Sequence, residues 1–152
     1  IEHARLVANG LQAGVSGMQL LTVSAVKAYT ADLFNAAGLT DSANIWLQPA
    51  NSIFVGCKMV LDTQFAATGM TDLDVTLGDA GNNAGILNAA MNLISDAAAS
   101  AYKTKGALFD ATAGTLLKEA ATQWVAYATA VGANLSTLSA GQVTFYFYYI
   151  QL

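Results

Sequence analysis

The sequence predicts an antiparallel β-sandwich of jelly-roll-like form, because three segments alternate apolar and polar side chains with a period of two residues. These segments cover residues 53–65, 72–78 and 142–152. A period of two is that of a half-buried β-strand. Polar links containing Gly, Asn or Asp follow the first two segments, as expected where turns join strands. Neighbouring strands that each have one apolar face are typical of an antiparallel sheet that covers a core.

Composition predicts one domain with a surface that contacts other proteins. A chain of 152 residues is long enough for one core. Charged residues make up 11% of it, against about 25% in an ordinary soluble domain, so we expect other subunits to cover part of the exterior. The net charge of −4 argues against a nucleic-acid partner. No apolar run approaches the roughly 20 residues of a membrane-spanning helix, so we expect no membrane partner.

The first 17 residues differ from the rest of the chain. They are interrupted by glycine and have few large apolar side chains, among them Leu6 and Leu11. We predict an N-terminal arm or edge segment over 1–17, ordered by a neighbouring subunit, and a single β-sandwich domain over 18–152.

Two further strands are predicted before the first clear alternating segment. The apolar, partly alternating stretch 18–26 is one, and Ile45–Leu47 is a short second strand that runs into a turn at Pro49. Proline cannot donate to a sheet ladder, which places this turn at an edge or a corner. Between them, Leu33 and Phe34 favour a helical turn, and residues 40–42 are typical of a loop.

The alternating segments predict which side chains face the core. Along 53–65 the predicted inward face consists of the odd-numbered apolar residues Ile53, Val55, Cys57, Met59, Leu61 and Phe65. Cys57 is therefore interpreted as a small buried apolar residue and not as a reactive thiol.

Residues 83–100 are ambiguous. Ile86, Ala90, Met91 and Ile94 recur at helical spacing, which predicts a short helix there. The segment is poor in charge and contains Asn88 and Asn92, so a loop with small turns is the alternative.

Two strands are predicted in the last third of the chain. Residues 123–131 place Val125, Tyr127 and Val131 on one parity and Trp124 with small alanines on the other. In the closing strand, Val143, Phe145, Phe147 and Tyr149 face one way, whereas Tyr146, Tyr148, Ile150 and Leu152 face the other. A strand that is apolar on both faces must be covered on both.

No catalytic or metal constellation emerges. The sequence contains one His, His3, one Cys, and scattered acidic residues, which do not form a clustered nucleophile and base. Asp62, Asp72, Asp74 and Asp79 surround the alternating strands, and carboxylates of this kind bind calcium, but no Asp-x-Asp-x-Asp-Gly loop is present. We expect no enzyme, no cofactor and no metal.

The exposed parity of the closing strand is the best candidate for a binding surface. Tyr146, Tyr148 and Ile150, together with Leu6 and Leu11 of the arm, are the predicted interface residues. Aromatic side chains dominate protein interfaces, which favours subunit contact. A platform on which sugar rings stack is the alternative.

Three short motifs of the sequence resemble those of small β-sandwich virion proteins of tailed bacteriophages. They are Pro49-Ala50-Asn51 between two apolar strands, the strand of Asp72–Gly78 followed by Asp79-Ala80-Gly81, and the closing Leu138-Ser139-Ala140-Gly141-Gln142-Val143. Such proteins decorate or cement capsids, or occur among tail components. The resemblance spans about residues 45–152 and supplies no catalytic residue.

The resemblance implies a non-enzymatic structural protein of the virion. The leading hypothesis is a capsid decoration or cement subunit that contacts its own copies and the major capsid protein or other virion proteins. The alternatives are a carbohydrate- or receptor-binding module of a phage tail, and a self-assembling surface or pilus-like subunit.

Overall fold

The computed structural model describes residues 19–88, 91–103 and 117–152, with the backbone alone at 102 and 103. In these residues nine β-strands form two antiparallel sheets, and a 3-10 turn, Leu135–Thr137, precedes the last strand. The β9 sheet has the order β1 (Leu20–Ala28), β9 (Ala140–Gln151), β3 (Ser52–Ala66) and β6 (Ala101–Lys103), and the short β7 (Leu117–Lys118) also pairs with β3. The β8 sheet has the order β2 (Thr40–Gln48), β8 (Thr122–Val131), β4 (Asp72–Asp79) and β5 (Asn82–Leu87).

The strand order is that of a jelly roll. The chain pairs β1 with β9, β2 with β8, β3 with β6 and β4 with β5, as a long folded hairpin would. Rolling up that hairpin also brings β9 beside β3 and β8 beside β4, which closes the two layers. The predicted antiparallel sandwich is confirmed. Among the described residues, no helix is both long and apolar enough to cross a membrane.

The core lies between the sheets and is rich in aromatic rings. Phe54 and Phe147 of the β9 sheet meet Trp124 and Trp46 of the β8 sheet, with ring centroids 5.3 and 4.9 Å apart. Such ring pairs add about 0.5–1.5 kcal/mol each beyond the area that they bury. Beyond Trp124, the inward side of β8 continues with Ala126, Ala128 and Ala130, all buried. Small side chains on one layer leave volume for large ones on the other.

The turn between β2 and β3 links the two sheets through a buried polar network. Trp124 Nε1 donates to Gln48 Oε1 at 2.9 Å, and Gln48 Nε2 donates to Ser52 Oγ at 3.0 Å. Ser52 Oγ in turn donates to the carbonyl of Pro49 at 2.6 Å. Asn51 completes the turn with φ of 52°, a left-handed conformation that Asn adopts more readily than most residues.

The two central alternating segments are neighbours in the sequence but not in a sheet. Strands β3 and β4 do not pair but lie in opposite sheets, and β3 instead pairs with the aromatic closing strand β9. The reason is that the link at 67–71 crosses from one layer to the other, which places the apolar faces of β3 and β4 on either side of one core.

The predicted inward parity of β3 is wrong at its start. A register shift between Phe54 and Gly56 marks a β-bulge, and an extra residue in one strand reverses the parity on either side of it. Phe54 is therefore fully buried, whereas Val55 is exposed. Beyond the bulge Cys57, Met59, Leu61 and Phe65 point inward as predicted.

Two local predictions also differ from the structure. The helix proposed for 83–100 is not formed in its described part, where β5 covers Asn82–Leu87 and turns cover 93–95 and 98–99. Tertiary pairing overrides the helical spacing, because Leu93 N donates to Leu73 O and Phe65 N donates to Leu93 O, which ties this loop to both sheets. Residues 40–42, expected as a loop, begin β2.

Candidate interaction surface

The outward face of β9 is the candidate site, and three predicted interface residues lie on it. Tyr146, Tyr148 and Ile150 point away from the core and are each partly exposed, whereas Phe145 and Phe147, which alternate with them, are fully buried. Strand alternation around the buried phenylalanines fixes this orientation. The other two predicted residues, Leu6 and Leu11, lie outside the described part of the chain.

Sheet pairing extends this face into an aliphatic row that the sequence analysis missed. Leu20 of β1 lies opposite Ile150 of β9, Ile150 opposite Ile53 of β3, and Ile53 opposite Leu117 of β7. Leu20 is 56% and Leu117 38% exposed, and the two isoleucines are half-buried. The bulge after Phe54 turns Ile53 outward and so completes the row. The available signal was Leu20 itself, a large apolar residue on the more polar side of β1, but its pairing with β9 could not be seen in the sequence.

The middle of the face has one cation beside an aromatic ring. Two rows away from Ile150 along β9, Tyr146 lies between Ser24 of β1 and Lys58 of β3. Lys58 Nζ lies 4.8 Å from the centroid of the Tyr146 ring, a distance at which a cation is attracted to the π face. One face of this ring is therefore already in contact with an ammonium group.

The far end of the face is more polar. Asp62 Oδ2 accepts hydrogen bonds from Thr144 Oγ1 at 2.6 Å and from Gln142 Nε2 at 3.3 Å. These bonds hold the carboxylate against β9. The surface thus grades from aliphatic side chains near Ile150, through tyrosines, to a carboxylate with its own partners.

The outward face of the β8 sheet has a different character. Two of its rows are Ser42, Tyr127 and Thr76, and then Thr40, Thr129 and Asp74. Hydroxyl groups and a carboxylate predominate in these two rows, while Val131 on the same side of β8 is exposed. These two rows are more polar than the aliphatic row of the β9 sheet.

The four aspartates singled out by sequence do not assemble into a metal site. Asp79 Oδ1 accepts from the backbone N–H groups of Gly81 and Asn82, both at 2.9 Å, so it supports the turn between β4 and β5. Across the described ranges, no group of three or more His, Cys, Asp and Glu side chains has the arrangement of a metal site. His3 lies outside those ranges.

Asp72 and Asp74 nevertheless occupy an unfavourable setting on β4. The Oδ1 atom of each is buried without a hydrogen-bond partner. Burial, and then the neighbouring carboxylate of Asp72, raises the pKa of Asp74 above its ordinary value. The backbone N–H of Met91 donates to Asp74 and opposes this shift.

Comparison with known proteins gives likeness of structure alone. No protein-family model and no curated protein sequence matches the chain. A chain of the cyanophage Pam1 capsid asymmetric unit superposes with a TM-score of 0.56 and 20% identity, over 90% of this chain and 87% of that one. Chains from the capsid of Ralstonia phage GP4 (TM-score 0.49, 17% identity, 88% and 85% covered) and from the acidic stable capsid of Helicobacter pylori bacteriophage KHP30 (0.46, 16%, 88% and 92%) are also similar. The superposition on the cyanophage capsid chain shows that the two chains share a fold.

Proposed function

We propose that this protein is a non-enzymatic structural component of a phage particle, a decoration or cement subunit on the capsid shell. The observation that carries the proposal is the likeness to the cyanophage capsid chain, which extends over nearly the whole of both chains. The likeness is therefore not confined to one part of that capsid chain. Jelly rolls also occur as viral capsid domains in general.

The surface chemistry supports a protein partner. The outward face of β9 and the neighbouring β3 combines tyrosines with an aliphatic row, and two of its described side chains, Lys58 and Asp62, are charged. Aromatic enrichment and charge depletion are the features of an interface core. We assign this face to contact with the shell protein. Burying it would stabilise the shell through hydrophobic contact, with no chemistry required.

Capsid binding tests the proposal directly. Tyr148→Ser removes a ring from the outward face of the central strand β9, and Tyr127→Ser makes the same change on the outward face of the central strand β8. Both tyrosines are half-buried. Each purified variant is incubated with capsids that lack this protein, and the bound fraction is measured by co-sedimentation.

We expect Tyr148→Ser to weaken capsid binding by about tenfold or more, the loss that an aromatic hot spot produces, and Tyr127→Ser to bind like the wild type. Failure of the wild-type chain to bind such capsids would overturn the function. Equal losses in the two variants would overturn the choice of face.

A carbohydrate- or receptor-binding module of a phage tail is the second candidate. It is favoured by the two partly exposed rings of Tyr146 and Tyr148 on one face, since flat rings stack on sugars. The contact of Lys58 with the Tyr146 ring argues against it, because it covers one of the stacking surfaces. Binding on a glycan array that Tyr148→Ser abolishes would support this candidate in place of the first.

A further inference from the structure

Strand β1 is an edge strand with an unusually regular outer side. It pairs with β9 in continuous register over all nine residues, from Leu20 opposite Ile150 to Ala28 opposite Gln142. In the part of the chain that the structure describes, no strand pairs with its other side. Its only charged residue is Lys27, whose Nζ lies 2.6 Å from Asp32 Oδ1. A long, regular and nearly uncharged edge is the kind that accepts another strand.

The other long edge is protected against such pairing. Strand β2 has a β-bulge between Asn44 and Trp46, and Asp41 lies near its start. Bulges and charges are the usual devices that keep an edge strand from adding a neighbour. The contrast marks β1, and not β2, as the pairing edge.

The burial of the inward side chains also distinguishes β1 from β2. On β2 the inward residues Ala43, Trp46 and Gln48 are buried. On β1 the inward residues Leu21 and Val23 remain half-buried, although Val23 packs against the core. The core therefore does not fully bury the inward side chains of β1, and one more strand beside β1 would complete their burial.

We propose that the β1 edge pairs with β1 of a second copy, antiparallel and related by a two-fold axis through Ser24. This register overlaps all nine residues of both strands and joins the two β9 sheets into one continuous sheet. On the outward face Ser24 meets Ser24 of the other copy, and Thr22 meets Val26. No like charges face each other, because Lys27 lies opposite Leu21.

The pairing would also align the candidate interaction surfaces of the two copies. Both outward faces would lie on the same side of the joined sheet, each with its row from Leu20 to Leu117. A dimer would thus offer the shell protein two copies of the same apolar face. Two linked contacts bind more tightly than one, since the second becomes intramolecular.

The test is a charge change on the proposed axis. Ser24 is exposed, so Ser24→Lys and Ser24→Glu leave the fold of one copy intact, which thermal unfolding checks. On the axis each variant places two like charges directly opposite, which destabilises a strand pair. Ser42→Lys, at an exposed serine on the other edge strand β2, is the matched control.

Sedimentation velocity over a concentration series gives the outcome. We expect a wild-type dimer, a dissociation constant raised up to about fivefold in each Ser24 variant, recovery in an equimolar mixture of the lysine and glutamate variants, and no change in Ser42→Lys. A monomeric wild type, an unaffected Ser24→Lys dimer or a mixture that does not recover would overturn the pairing. Should the charged variants unfold, Ser24→Cys must cross-link two copies on oxidation and Ser42→Cys must not, because Cys57 is buried.

The pairing rests on the proposed function in taking copies of this chain as partners, but the two fail in different experiments. A chain that binds capsids as a monomer would overturn the dimer and leave the capsid role intact. A chain that dimerises through Ser24 but binds no capsid would do the reverse.

Discussion

Gly141, at the start of the closing strand, is a position where a single added methyl group should be costly. Its φ is 131°, in the range that side-chain-bearing residues rarely adopt. A Cβ built there would lie 2.2 Å from Cγ of Phe65, a buried ring that also packs on Phe34 with centroids 4.7 Å apart. The ring therefore has no room to retreat.

Two terms set the expected cost of Gly141→Ala. Backbone strain in a sparsely populated region costs about 1–3 kcal/mol, and overpacking of a close-packed core costs about 1–3 kcal/mol more. The free energy of unfolding should therefore fall by about 2–6 kcal/mol. At about 2–4 °C per kcal/mol for a chain of this size, this corresponds to a drop in Tm of roughly 5–20 °C, measurable by circular dichroism.

Two other glycines separate the terms. Gly69 has φ of 82° with no atom within 4 Å of a built Cβ, so Gly69→Ala reports strain alone. Gly38 has open space and no such φ, so Gly38→Ala should be neutral or slightly stabilising. The Tm should be highest for Gly38→Ala, lower for Gly69→Ala and lowest for Gly141→Ala. Equal losses at Gly69 and Gly141 would refute the contact with Phe65.

Three further changes have expected outcomes. Gln48→Leu leaves the buried Trp124 N–H without an acceptor, and urea unfolding should show a loss of about 1–3 kcal/mol; a loss near zero would mean that the bond is not made. Asp74→Asn should raise the Tm at pH 7 by an amount worth less than about 1 kcal/mol, because it removes a carboxylate whose pKa in the fold is raised by burial and by Asp72. Below the unfolded pKa the Asp74 carboxyl is protonated in both states, and its raised pKa costs the fold no stability; as the pH rises through the folded pKa, the ionised group destabilises the fold. The gain from Asp74→Asn should therefore vanish below about pH 4, and a gain that persists at pH 3 would contradict this cause. Asn51→Ala should cost about 1 kcal/mol, because Ala is strained in the left-handed turn, whereas Asn51→Gly should be nearly neutral by thermal unfolding.

Two short motifs noted in the sequence now have physical reasons. In the closing motif, Leu138 is buried, Gly141 gives room to the Phe65 ring, and Val143 begins the inward parity of β9. In the Pro49-Ala50-Asn51 step, the Pro49 carbonyl accepts from Ser52, and Asn51 adopts the left-handed turn conformation. Both motifs specify how the chain enters a strand and do not form a reactive site.

What the sequence determined by itself was local. Alternation with a period of two identified the strands and, in β9, separated buried Phe145 and Phe147 from outward Tyr146 and Tyr148, because side-chain direction in a strand depends on parity alone. The low charge content predicts a surface that contacts other proteins, and this stays a prediction.

Pairing was decided only by the tertiary structure. That β3 lies across the core from β4, that a bulge after Phe54 turns Ile53 outward, and that Leu20 joins the aliphatic row all depend on contacts between residues distant in the chain. The helical spacing near Ile86 failed for the same reason, since hydrogen bonds to neighbouring strands outweigh local preference. A one-dimensional pattern encodes which side of a strand is apolar, but the neighbour of that strand is chosen by the closing of both layers around a common core.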